Sequence, residues 1–89
     1  MDPFDADLLK TFARSRSEAA FRSLVDRHLD HVHSVAWRVT RRHDLAADVA
    51  QLVFVRLAER HHRLPAGLSL AAWLHINTRS LAIDLVRTE

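Results

Sequence analysis

Residues 47 to 60, ADVAQLVFVRLAER, are the most restrictive stretch of the chain. Wound as a helix at about 100° per residue, the segment is apolar almost all the way round. Its polar groups are confined to one narrow strip and two arginines. Such a helix belongs at the centre of a core, yet a chain of 89 residues buries only roughly 60–65% of its unfolded surface. The segment therefore predicts one small core built around this helix, and a surplus apolar face that the core does not reach.

The rest of the chain reads as helical too. One Gly and two Pro leave little material for hairpin turns. Asp5 is placed to cap a short helix through Ala13 that buries Leu8, Leu9 and Phe12. Ser15 stands three residues before Glu18, the spacing of a capping box. From there Phe21, Leu24, Val25, His28, Val32, Val35, Ala36 and Val39 recur at helical spacing, predicting a second helix that ends near 41–43. Val35, Trp37 and Val39 alternate as a strand would, but that alternation is brief and lies inside the longer helical pattern. Asp44 is placed to cap a third helix running to about His62. RLPAGLS, residues 63 to 69, holds the only Gly and the only internal Pro and reads as a loop. Ser69 is a natural N-cap for a fourth helix from Leu70 to about Arg87, with Leu70, Leu74, Leu81 and Leu85 as its buried stripe and Asn77 within it. The expectation is a single all-α domain, a compact bundle of about four helices.

Several function classes are excluded or disfavoured. Cysteine is absent, so there is no disulfide framework, thiolate nucleophile or cysteine zinc site. A single Gly leaves no phosphate-cradling loop, nucleophile elbow or dinucleotide fingerprint. Asp48 and Asp84 lack a carboxylate partner at a spacing suited to acid–base work, so no enzyme is expected. Of the seven histidines, His28 and His31 share a face only loosely, His33 points elsewhere and adjacent His61 and His62 diverge. No His-x-x-x-His pair occurs, so no metal or other cofactor is expected. His28 falls on the apolar stripe, where a hydrogen-bonded core histidine is the ordinary explanation. The start, MDPFDADLLK, lacks a basic-then-apolar signal pattern, and no apolar run approaches the roughly 20 residues of a membrane span. The expected setting is soluble and cytoplasmic, with no membrane partner.

Two helix faces do not suit a plain bundle. On the third helix, Ala46, Val49, Ala50, Val53 and Leu57 fall together toward the core. Opposite them lie Asp44, Asp48, Gln51, Val55 and Glu59, with Leu52 at the edge. Apolar groups interleaved with a carboxylate and an amide suit a protein-binding surface, although one or two exposed aliphatics are also ordinary. On the fourth helix, Ala72, Ile76, Arg79, Ser80, Ile83 and Arg87 line up away from the leucine stripe, with Trp73 on the border. Net charge is only +2, but three Asp stand in the first seven residues, so the remainder carries +5 (thirteen basic against eight acidic groups). Twelve of the thirteen basic residues are Arg, which forms planar paired contacts with phosphate. Arginines beside an aromatic and small apolar groups suit a single nucleic-acid strand. A solvated arginine face with Trp73 in the core fits the same pattern.

Three blocks in order, AFRSLVDRH, DLAADVAQLVFVRLAE and AAWLHINTRSLAIDLVR, resemble region 2 of bacterial RNA polymerase sigma factors of the extracytoplasmic-function group. The resemblance covers about residues 17 to 88. Its most diagnostic parts are D-x-A-x-D-x-x-Q-x-x-F at Asp44, Ala46, Asp48, Gln51 and Phe54, then Trp73–Leu74, then A-I-D-x-x-R from Ala82 to Arg87. The resemblance implies an all-helical domain that docks on the clamp coiled coil of the polymerase β′ subunit. It also implies capture of the melted non-template strand of the promoter minus-ten element. The docking residues would be Asp48, Gln51, Leu52 and Val55. The DNA-binding residues would be Arg63, Ser69, Trp73, Ile76, Arg79, Ser80 and Arg87, and an anti-sigma factor is a further candidate partner.

The chain departs from the family at several positions. Leu52 stands where the family usually has Glu, Ile76 where it often has a basic residue, and Ser80 where it often has Asn. The loop HHRLPAGLS is also slightly longer than typical. A chain of 89 residues leaves no room for region 4, which implies a segment of a longer sigma factor or a one-domain variant. The rival expectation is a degenerate sigma-like module that binds an anti-sigma factor or itself and does not bind DNA.

Overall fold

Side chains of Asp2, Ser17 and Ser69 start three of the four helices. In the computed structural model, which describes residues 2–88, the chain forms α1 (Pro3–Ser15), α2 (Glu18–Thr40), α3 (His43–Arg60) and α4 (Leu70–Thr88), with a 3₁₀ turn at His61–Arg63. Asp2 Oδ1 accepts from the backbone N–H groups of Phe4 and Asp5 at 2.8 and 3.4 Å. Pro3 fills the first helical position, where no N–H is needed. Ser17 Oγ accepts from Ala20 at 3.1 Å and Ser69 Oγ from Ala72 at 3.0 Å. The described residues contain no strand, so the all-α expectation holds and the Val35/Trp37/Val39 alternation lies within α2.

Helix ends depart from expectation for identifiable reasons. Asp5 does not cap α1. It is buried at 3% exposure, accepting from Arg27 Nε at 3.0 Å and lying 3.0 Å from His28 Nε2. His28 is thus hydrogen-bonded, as its position suggested, but it sits partly buried at the edge of the core. Ser15 is the last residue of α1, so the Ser15–Glu18 capping box does not form and Ser17 caps α2 instead. Asp44 lies in the first turn of α3, not at its cap, and receives Arg42 Nη2 and Nε at 2.7 and 3.2 Å. The third helix ends at Arg60. The chain then tightens into the 3₁₀ turn, where His61 Nδ1 lies 2.9 Å from the Ala58 carbonyl oxygen.

Neither C-terminal turn of α1 or α2 uses glycine. Arg16 (φ 55°) and Arg41 (φ 56°) take the left-handed conformation and donate their N–H groups to Phe12 O and Trp37 O. Each guanidinium then lies over the ring of that same residue, at 5.1 and 4.7 Å. The left-handed backbone costs a non-glycine residue about 1–2 kcal/mol, and a cation–π contact of about 0.5–1 kcal/mol offsets part of it.

The core forms around α2, which packs against all three other helices, and around α3. Seven residues of α3 are buried, with Ala46, Val49, Val53 and Leu57 at 0% exposure. In α4, Leu70, Leu74 and Ala82 are buried with Trp73 and Thr78, whereas Leu81 and Leu85 are only half-buried. Asn77 donates to Trp73 O at 2.9 Å and accepts from Arg56 Nη1 at 3.1 Å, tying α4 to α3. Thr78 has a fully enclosed Oγ1 without a hydrogen-bond partner.

Candidate functional site

The surplus face of α3 is present. With its inner side sealed, the helix leaves Leu52 at 51% and Val55 at 50% exposure, beside exposed Asp48, Gln51 and Glu59. Gln51 and Val55 also line a groove of ≈ 960 Å³ between α2 and α3. Its floor is Val25, Ala50 and Phe54, and α2 adds Leu29, Asp30 and His33 to its rim. Val55 forms the ridge between this groove and a smaller hollow toward α4 that includes Leu52, Arg56 and Leu81. Asp48 lies on the exposed side of α3 and lines neither depression. Carboxylates of Asp30 and Glu59 at the groove edge favour a partner that is cationic as well as apolar.

The contribution of α2 to this surface was missed in the sequence. One signal for it existed: Leu29, 40% exposed, is a large aliphatic that falls off the Leu24/Val25/His28/Val32 stripe. What no periodicity could supply was that α2 and α3 pack with Leu29 and Val55 facing the same groove.

On α4 the structure gathers Ile76, Arg79, Ser80 and Arg87 around one shallow surface, joined by His75, Ile83 and Asp84. Ile76 is 56% exposed, and Arg79, Ser80 and Arg87 are exposed. Trp73 is a correction. It is 8% exposed and packs within the core cluster, so it supports the α4 face from beneath and offers no open ring to a base. Burial wins because Trp73 falls three residues after Leu70 and one before Leu74, within the arc that faces α2 and α3. Arg63 and Ser69 are exposed but lie outside this surface. The Ser69 oxygen accepts the cap bond from Ala72, which leaves its own O–H to donate elsewhere. Asp84, missed in the sequence, puts a carboxylate among the arginines and weakens the pull on phosphate.

His75 connects this face to α2 through an Nδ1···Nε2 separation of 3.3 Å from His31. Among the described residues no three His, Asp or Glu side chains converge as metal ligands do. No helix among them is long and apolar enough to cross a membrane. The arrangement as a whole leaves two exposed faces of mixed polar and apolar character on adjacent helices.

Comparison with known proteins gave one result. Neither curated proteins nor solved structures yield a match. The profile of the family described as Sigma-70 region 2 matches residues 24–89, which takes in most of α2 and all of α3 and α4. The chain belongs to the Sigma-70 region 2 family, and its role is that of a sigma-factor domain in transcription initiation.

Proposed function

We propose that the chain is a region 2 domain of the extracytoplasmic-function type that docks on the clamp coiled coil of the polymerase β′ subunit and holds the melted non-template strand of the minus-ten element. The observation that carries the docking half is the pair Leu52 and Val55, half exposed on a helix whose opposite side is sealed. Asp48, Gln51 and Glu59 around them supply register, and the α2 rim widens the contact to the groove. Leu52 in place of the usual carboxylate makes this surface greasier, consistent with affinity drawn from apolar burial.

The α4 face supplies the DNA half. Arg79 and Arg87 neutralise phosphate, Ile76 and Ile83 give apolar contact to an unstacked base, and Ser80 offers a hydroxyl. Arg63 and Ser69 extend the path along the loop before α4. Flipping a base from the duplex costs a few kcal/mol, which neutralised phosphates and apolar contact to the exposed base have to offset. Holding one strand therefore favours the open promoter without any bond being made or broken.

Two variants test the two halves. Val55→Glu places a charge on the ridge between the two hollows. It is expected to weaken binding to a purified β′ clamp fragment at least about tenfold, roughly 1.4 kcal/mol, with the far-ultraviolet circular dichroism unchanged. An unaltered affinity removes α3 from the docking surface. Arg79→Ala is expected to lower affinity for a single-stranded minus-ten oligonucleotide and to make the salt slope shallower by about 0.7. A slope equal to wild type removes Arg79 from the contact.

A second reading is favoured by Asp84 and by the bare Ile76 side chain. A face that mixes a carboxylate with exposed aliphatics also suits a protein partner, such as an anti-sigma factor or a second copy. In that case the wild-type chain binds no single strand even at low salt, while Ile76→Glu disrupts the protein complex.

A further inference from the structure

The corner where α2 turns into α3 carries a column of flat groups, of which only His33 also lines the groove between α2 and α3. The Arg41 guanidinium lies 4.7 Å over the Trp37 ring. His43 stacks on Trp37 at 5.9 Å and on His33 at 5.6 Å, with the two imidazoles only 11° from parallel. Arg38 and Arg42 are chain neighbours of the column's Trp37 and Arg41, and both are exposed, as are Arg41 and His43. Arg42 shares its charge with Asp44 at 2.7 Å. Arg38 and Arg41 have no acidic group within ion-pair distance among the described residues.

We propose that this corner is a second nucleic-acid contact, one that grips the phosphate backbone of a duplex and reads no bases. The argument rests on what the column has left to offer. A single strand is held by open aromatic faces on which bases stack. Here Trp37 is half-buried and already stacked with Arg41 and His43, so the column presents cations and few free faces. The Arg41 cation is held in place. The left-handed turn at Arg41, its N–H bond to Trp37 O at 2.7 Å and the ring beneath its guanidinium fix the charge before any ligand arrives. Preset donors lose little freedom on binding. They suit the regular phosphates of a duplex, which carries a charge about every 1.7 Å of its axis.

Position supports the same partner. Asn77 bonds to Arg56 and Leu81, further along α4, shares a hollow with Leu52, further back on α3, so α4 runs antiparallel to α3. At about 1.5 Å per residue, the ten residues from Asn77 on to Arg87 match the ten from Arg56 back to Ala46, in the first turn of α3. The last turn of α4, with Arg87, therefore ends level with the corner. A nucleic acid laid along the α4 face would reach the corner next. This contact stands apart from the α4 assignment and does not need it to be correct.

The test uses the 89-residue chain and three fluorescent probes: a duplex, a single strand, and a fork that joins the two. Arg38→Ala is combined with Arg41→Asn, because Asn tolerates a left-handed backbone. For the duplex and the fork, the slope of log affinity against log salt is expected to become shallower by nearly two, at about 0.9 per lost phosphate contact. The loss is expected to be the same for unrelated sequences, with single-strand binding unchanged. Arg38→Ala alone is expected to give about half the change in slope. The proposal is overturned if the wild-type chain binds no duplex at low salt, if the double variant keeps the wild-type slope, or if single-strand and duplex binding fall together. Failure of the α4 reading is seen separately, as Arg79→Ala leaving the single-strand probe unaffected.

Discussion

Arg16 and Arg41 stand where glycine is the usual residue, and a single Gly in the whole chain is what made the ends of α1 and α2 hard to place. The sequence does hold the signal, since an aromatic precedes each arginine by four residues. Its meaning depends on the guanidinium folding back over the ring whose carbonyl takes the N–H. Asp5 was misread for a related reason. As an acid near a helix start it looked like a cap, and only the approach of Arg27 and His28 from α2 makes it a buried anchor. Thr78 raises a residue-scale question of its own, because its hydroxyl oxygen is enclosed and unpaired. A buried polar group without a partner costs about 1–3 kcal/mol. Thr78→Val keeps the branched shape and removes the oxygen. It is expected to leave stability unchanged or raise it by up to about 1 kcal/mol in urea unfolding. A clear loss of stability would mean that the hydroxyl has a bonding partner in solution.

All four helices were legible because the apolar periodicity of each runs for several turns, and because Ser69 announces α4 unambiguously. Their ends were less so, since Ser15 competes with Ser17, and Asp5 with Asp2, within a few residues. Helix starts also set part of the acid response. The Asp2 carboxyl is held below the ordinary carboxylate value, first by the hydrogen bond from the Phe4 backbone N–H. The Asp44 carboxyl is lowered first by its bond with the Arg42 side chain. The folded chain thus binds these two protons less readily than the unfolded chain. Their stabilisation is complete above about pH 4 and is lost as pH falls through the lowered folded-state values. Both groups are exposed and well screened by water, so the effect is small. The double variant Asp2→Asn/Asp44→Asn is expected to be slightly less stable than wild type at pH 7, with the gap closing near pH 2. Urea midpoints that stay equally far apart at both pH values would mean that the two carboxylates do not contribute in this way.

The molecule as a whole is short of cover. Its accessible surface of 5711 Å² for 10.2 kDa exceeds the roughly 5,300 Å² typical of that mass. Its radius of gyration of 13.0 Å likewise exceeds the roughly 12 Å expected for 89 residues. Part of the surplus is apolar: Leu29, Leu52, Val55 and Ile76 are each at least 40% exposed. All four are misfits on helical wheels. For Leu29 that signal does not lead to the groove, because a wheel for one helix says nothing about which neighbour shares it. A chain this size holds few kcal/mol in reserve, so a partner that covers the groove should register as stability, with no mutation needed. Ligand binding to the folded state alone adds about 2.7 kcal/mol at a hundred times Kd. For a domain of this length each kcal/mol moves Tm by roughly 4–8 °C. A saturating β′ clamp fragment is therefore expected to raise Tm by roughly 10–20 °C. The gain should shrink as salt screens the Asp30 and Glu59 rim, and it should largely vanish in Val55→Glu. A single-stranded minus-ten oligonucleotide should add its own increment, one that survives Val55→Glu and is diminished by Arg79→Ala. If the clamp fragment leaves Tm unmoved at every concentration, the exposed aliphatics are not waiting for polymerase, and the groove between α2 and α3 belongs to some other partner.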